Sequence, residues 1–366
     1  MNIGLDGNEA NVKNRVGSGQ YAASMLTEFA KIKKHHFIVY LKDKPLNHLP
    51  PESPNFKYKV FGPKKLWTQF ALPLKLRFGQ KLDIFFTLGH YGPRFSKIPY
   101  VVTIFDLSYI HYPSLFNKND LYQLVNWSKY SIQKAKQIIA ISNSTKDDIA
   151  RQYKINKSKI SVTYMGYDQK TFKPQSKSNI EKAKTKFNIK GDYIIFVGTL
   201  QPRKNIERLI EAFNLVHSKV DNLSLVIVGK KGWLYESIFQ RVKDLDLTSN
   251  VVFTDYVPEE DLAPLISGSK LYILPSLYEG FGIPVIEAQA CGVPVIVSNT
   301  SSLPEVVGNS GILVDPQSVE SIAIGIQKII SNEGLKKDLA IKGLANIKRF
   351  SWQKCAAETL KVLENL

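Results

Sequence analysis

"SLYEGFGIPVIEAQACGVPVIVSN", residues 276–299, has the apolar content of a buried sheet region, yet it holds two carboxylates, Glu279 and Glu287, among glycines and a proline. The conflict disappears if a strand, "LYILPS", ends as the stretch begins. "LYEGFGIP" is then a loop, "VIEAQACG" a short helix stopped by Gly292, and "VPVIVS" the next strand. Gly280 and Gly282 let backbone amides approach a ligand closely, and Pro284 suits a first helical turn. In parallel sheets ligands lie beyond the carboxyl ends of the strands, which is where this loop stands.

The same alternation runs along the whole chain. "NIGLD", "FIVYL", "DIFFTL", "YVVTIF" and "QIIAIS" read as short buried strands, with a helix from about Gln20 to Lys33 after the first. In "ISNSTKDDIARQY" a strand ends and an Asn/Ser-capped helix begins. The pattern pauses in a polar, Lys-rich stretch and resumes with "YIIFVG", "LSLVIVG", "VVF", "LYILPS" and "VPVIVS". The prediction is an α/β chain of two Rossmann-like, doubly wound domains in tandem. They are expected at residues 1–170 and 191–350, joined by a linker and leading helix at 171–190, with residues 351–366 as a last helix. Two such sheets facing each other enclose a ligand cleft.

Composition narrows the class. The 366 residues are 44% apolar and 22% charged, as in a soluble globular protein, and too many for one comfortable core. No apolar run reaches the ~20 residues that span a bilayer. "MNIGLDGNEA" shows no basic-then-apolar signal, and Cys291 and Cys355 have no metal-type spacing, so a cytoplasmic, reduced location is expected. Cys291 reads as a small packing residue. The net charge of +17 is uneven: residues 1–170 hold 26 Lys+Arg against 11 Asp+Glu. That half suits an anionic partner, or is simply a solvated basic surface.

Three more strand ends carry chemistry. In "RVGSGQY", Gly17 and Gly19 either offer amides to a phosphate at a helix start or make a tight turn. The stretch is no G-x-G-x-x-G fingerprint and lacks the acid ~20 residues on that would hold a ribose, which argues against a nicotinamide dehydrogenase. In "FVGTLQPRKNIERLIEAF", Arg203 and Lys204 crowd the mouth of a helix, where two cations repel each other and the helix dipole unless an anion joins them. A diphosphate supplies that charge. In "TIFDLSY", Asp106 either orients an acceptor hydroxyl, acts as a base, or caps a turn. Glu279 and Glu287 either suit a ligand with two polyhydroxyl parts and anions between them, which describes a nucleotide sugar, or cap a backbone amide or pair with a surface Lys.

At these loops the chain resembles the retaining nucleotide-sugar glycosyltransferases of the GT-B fold, the group 1 or family four class. "VGTLQPRKNIERLIEAF", "FTDYVPEEDLAPLI" and "PSLYEGFGIPVIEAQACGVPVIVSNTSSLPEVVGNSGILVDP" carry the resemblance, with a leaning to members that use GDP-mannose. The resemblance implies that Lys204 and Arg203 hold the donor diphosphate, and that Glu279 with the amides of Phe281, Gly282 and Ile283 holds the transferred sugar. It assigns the ribose to Glu287, the base to the backbone around Val257, and the diphosphate's other side to Gly17. It implies a final helix crossing back onto the first domain, and retention by front-face attack without a protein nucleophile, divalent metal or other cofactor. Polysaccharide biosynthesis on a glycan or lipid-linked acceptor at the inner face of the membrane is the implied setting, with no nucleic acid partner. Two departures stand out: Phe105 occupies the position where the family often has His, and Thr199 a position where many members have Arg. Phe105 keeps open a non-catalytic binding protein on the same fold. The segment Pro63–Gln80, "PKKLWTQFALPLKLRFGQ", fits either an anionic membrane surface or a core-facing helix pair.

Overall fold

The computed structural model describes every residue except Val16 and Asp221. The chain divides into two compact units, Met1–Gly166 with Phe350–Leu366, and Tyr167–Arg349.

The first unit is built on seven strands: β1 Asn2–Asp6, β2 His36–Leu41, β3 Phe56–Val60, β4 Ile84–Thr87, β5 Tyr100–Ile104, β6 Gln137–Ala140 and β7 Ile160–Val162. Their order is β3-β2-β1-β4-β5-β6-β7, all parallel. The second unit has six: β8 Asp192–Val197, β9 Leu223–Val228, β10 Val251–Phe253, β11 Tyr272–Leu274, β12 Val295–Ser298 and β13 Gly311–Val314. Their order is β10-β9-β8-β11-β12-β13, again parallel. Both are the doubly wound α/β sheets expected from the alternating pattern.

Central strands are buried on both faces, so β4, β5 and β11 are buried throughout, apolar but for Thr87 and Thr103, and legible as runs. Sequence reading misses β3, β7 and β13, and each of these is an edge strand. "FKYKV" puts Lys57 and Lys59 on the outer face, "ISV" is only three residues long, and "GILV" buries only its last side chain. An edge strand needs one apolar face at most, and its charges discourage pairing with another chain.

The polar stretch after β7 is not a free connector. Its helix Lys177–Lys186 packs on the helix Glu259–Ser267 of the second unit. The last helix, Trp352–Glu364, returns to the first unit and packs on the helix Ser18–Ala30, with the Trp352 and Tyr21 rings 6.1 Å apart. Gly166 makes that return tight: a Cβ there would sit 2.2 Å from the Trp352 backbone nitrogen. Gly166→Ala therefore has to displace main chain rather than a flexible side chain. We expect it to lower stability by about 1–3 kcal/mol in thermal or urea unfolding, in the range of other overpacking substitutions.

Candidate active site

In the second unit the strand order reverses between β8 and β11. Loops that leave two such strands part to opposite sides and open a crevice at the strand ends. The loop after β8 carries Arg203 and Lys204, and the loop after β11 carries Glu279, so topology joins residues 75 positions apart.

After β8 the chain makes one 3-10 turn, Pro202–Lys204, and Asn205 starts the helix Ile206–His217. The buried Asn205 amide donates to the carbonyls of Pro275 (2.9 Å) and Pro316 (2.7 Å), pinning this turn to the β11 loop. The Leu277 N–H donates to the Arg203 carbonyl at 2.9 Å, and the Arg203 guanidinium donates to the Tyr278 carbonyl. Lys204 Nζ then lies 2.6 Å from Glu279 Oε1, and Arg203 Nη1 lies 3.3 Å from Glu279 Oε2. The backbone of Glu279 is held as well: its N–H donates to Ser301 Oγ at 2.9 Å, and Ser302 Oγ donates to its carbonyl at 2.8 Å.

All three side chains are largely buried, at 8% exposure for Glu279, 12% for Lys204 and 14% for Arg203. Burial alone would raise the Glu279 pKa. Lys204 and then Arg203 overcome it and hold the carboxyl down at about 2, so it is ionised at any working pH. This corrects the sequence argument for an external anion. The charge that relieves Arg203 and Lys204 in this structure is Glu279 itself. Both cations meet on this one carboxylate.

Gly282 opens the helix Ile283–Ala290 with φ 99°, a backbone that favours glycine, and its Cβ position lies 2.9 Å from Leu303 Cδ2. Its N-cap residue, Gly282, has no side chain with which to cap this helix start. Gly280, Phe281 and Gly282 are buried, and Ile283 is half-buried. Glu287 projects from the same helix, partly exposed and outside the ion-pair cluster. Burial, then the charges of Glu259 and Asp168, raise its pKa to about 8. Glu259 opens the helix that follows the buried Val257, so the Val257 loop and Glu287 share one neighbourhood. Burial, and after it the charges of Glu279 and Glu287, push the pKa of the Tyr272 hydroxyl up.

The remaining predicted residues belong to the first unit. Gly17 precedes the helix Ser18–Ala30 with φ 51°, is exposed, and has open space where a Cβ would be. Gly19 differs from expectation. It is buried, with its Cβ position 3.0 Å from the Glu9 carbonyl, so packing explains the glycine. Asp106 accepts from the Ser108 N–H at 2.9 Å and the Ser108 hydroxyl at 2.6 Å, which is the turn-capping reading of that residue. Phe105 packs edge-on against Tyr21 at 5.2 Å.

Sequence reasoning passes over His90, which follows β4 at the point where the first sheet reverses. Its ring centroid lies 5.4 Å from that of Phe105, its Nδ1 is buried without a hydrogen-bond partner among the described residues, and burial lowers its pKa against the pull of Asp106 and Glu9. It borders a 320 Å³ cavity lined also by Asp6, Glu9, Tyr91 and Trp127. Burial raises the Asp6 pKa to about 6. The strand-end rule that singles out Asp106, applied to β4, would have found "GHY".

Residues 177–345 match the family described as Glycosyl transferases group 1, and residues 16–170 match Glycosyltransferase Family 4. The chain is 30% identical over 283 residues to O-antigen chain mannosyltransferase B of Escherichia coli, covering 76% of this chain and 74% of that one. It is 31% identical over 222 residues to O-antigen chain mannosyltransferase RfbU of Salmonella typhimurium, covering 60% and 57% of the two. Anabaena HepE, solved with UDP-glucose, superposes with a TM-score of 0.79 at 19% identity over 100% of this chain and 99% of that one.

The ion-pair cluster and the buried acid make separate predictions. Glu279→Ala leaves two buried cations facing each other and is expected to cost about 3 kcal/mol of stability, most of which Glu279→Asp should recover. Chemical denaturation of the two variants beside the wild type measures it. Glu287 has the opposite sign. Its raised pKa means that the folded state holds a proton the unfolded chain has lost, so stability falls as pH rises from about 4.5 to about 8, by up to about 1.4 kcal/mol per pH unit. Glu287→Gln should therefore gain on the wild type across that window and show no pH-dependent gain below about pH 4. Denaturation midpoints across this pH range check it.

Proposed function

This chain belongs to the group 1 glycosyltransferases and has the GT-B fold, and on that premise we propose that it moves a mannosyl group from GDP-mannose to a glycan or lipid-linked acceptor, with retention at the anomeric carbon. The observation that carries the reading is the buried Arg203–Lys204–Glu279 cluster at the strand-order reversal, beside a helix start whose cap position is a glycine. Its two cations and the first amides of the helix Ile283–Ala290 suit a pyrophosphate, with no divalent metal required. The mannosyl choice follows the relatives named mannosyltransferases.

In this proposal Lys204 and Arg203 turn toward the pyrophosphate, while the ionised Glu279 and the amides of Phe281, Gly282 and Ile283 hold the sugar. Glu287 accepts the ribose hydroxyls, and the backbone near Val257 meets the base. The bond from the anomeric carbon to the phosphate oxygen breaks as the acceptor oxygen bonds on the same face. The leaving phosphate takes the acceptor proton. The carboxylates position the sugar and stabilise the positive charge that develops on it. Gly17, with open space at its Cβ position, is read as a phosphate contact through its backbone amide. Asp106 bears on the acceptor, and the work is done in the cytoplasm.

Phe105 favours one competing reading, a protein that binds the donor without turning it over. His90 weighs against it, because an imidazole stands next to that ring. A panel of nucleotide sugars, offered with and without chelator, separates the two. The expected result is hydrolysis or transfer of GDP-mannose unaffected by chelator, with Glu287→Ala weakening donor binding at least about tenfold and Lys204→Ala lowering both binding and turnover. Donor binding with no turnover under any condition supports the competing reading.

A further inference from the structure

The helix Ala71–Phe78 buries one face and leaves the other bare in a way that solvation does not explain. Ala71, Leu72 and Leu76, with Trp67 just before them, pack into the core of the first unit. Trp67 is fixed further by donating its ring N–H to the Phe61 carbonyl at 2.9 Å. Leu74 and Phe78 on the outer side of the helix are 58% and 78% exposed, and Phe70 at its N-cap and Leu66 in the turn before it are 61% and 46% exposed. Leu74 and Phe78, four apart, stack along one side of the helix, and with Phe70 and Leu66 leading into it they make an apolar strip where a surface helix ordinarily carries polar groups.

The strip is bordered by cations. Lys65, Lys75, Arg77 and Lys81 are exposed around it. No Asp or Glu occurs between Ser53 and Leu82. A second copy of this face would set lysine against lysine, because a two-fold contact presents the same patch from both sides. A polyanion in solution would use the cations and leave the phenyl and leucyl groups bare. A bilayer with acidic headgroups satisfies both, with apolar side chains in the acyl boundary and cations at the phosphates.

We propose that the strip Leu66–Phe78 with its lysine and arginine border is a docking surface for an anionic lipid bilayer. The strap that leads into the helix, including Lys64, Trp67 and Gln69, also lines the 320 Å³ cavity at the ends of β1 and β4. Docking on this strip therefore holds that cavity close to the headgroups. An acceptor anchored in the membrane would present its polar head there, and this last clause alone rests on the transferase reading.

Sedimentation with vesicles tests the surface. Wild-type protein should bind vesicles of phosphatidylcholine with phosphatidylglycerol, bind phosphatidylcholine alone weakly, and come off in high salt. The variant Phe70→Ser/Leu74→Ser/Phe78→Ser should partition at least about tenfold less with unchanged circular dichroism and donor binding. Lys75→Glu/Arg77→Glu should lose the preference for the acidic lipid. Wild type that stays in the supernatant, or a triple variant that binds as well as wild type, overturns the proposal. So does a wild-type dimer that the triple variant converts to monomer without vesicle binding. Loss of donor turnover with vesicle binding intact would count against the transferase reading and leave the surface standing.

Discussion

Two buried cations share one buried carboxylate at the ends of β8 and β11, and the second unit's site is arranged around that contact. A charge taken out of water is costly unless it is paired and hydrogen-bonded. Glu279 meets the condition on every side: cations on its carboxylate, a serine hydroxyl on its amide and another on its carbonyl. Such a cluster tolerates little rearrangement of the two loops. It fixes the glycine-opened helix start relative to Lys204, and with it the place where an anion can be received.

The two acids of the quoted stretch are driven in opposite directions by their surroundings. Glu279 is held at a pKa of about 2 by the cations it touches, while Glu287 is raised to about 8 by burial and by Glu259 and Asp168. One is a permanent carboxylate. The other is neutral until something favours its charged form, and paired hydroxyls that donate to it do so. In the proposed function, ribose binding at Glu287 is thus coupled to proton release, whereas the sugar meets a carboxylate already formed.

Much of this was legible before any coordinates. The central strands are apolar because both faces are covered, and the strand-end rule pointed to Arg203, Lys204, Glu279 and Asp106. What escaped was whatever depends on tertiary neighbours. The three unrecognised strands lie at sheet edges, where half the side chains are free to be polar. The repulsion between Arg203 and Lys204 was visible, but its resolution by Glu279 was not, since only the β8–β11 pairing brings that carboxylate over. Gly19 looked like a ligand contact and is a packing residue beneath Glu9. His90 has no pattern around it, and its place beside Phe105 emerges only when β4 and β5 pair. Pro63–Gln80 combined two half-signals, and the structure separates them into a buried face and a bare one.

The central claim is that the Lys204–Glu279 pair is the resting form of an anion site. A crystal structure with bound nucleoside diphosphate tests it most directly. The account predicts phosphate oxygens within hydrogen-bonding distance of Lys204 Nζ and of the first amides of the helix Ile283–Ala290, with Glu279 remaining ionised beside them. A diphosphate bound elsewhere, with the Lys204–Glu279 contact undisturbed, would contradict it.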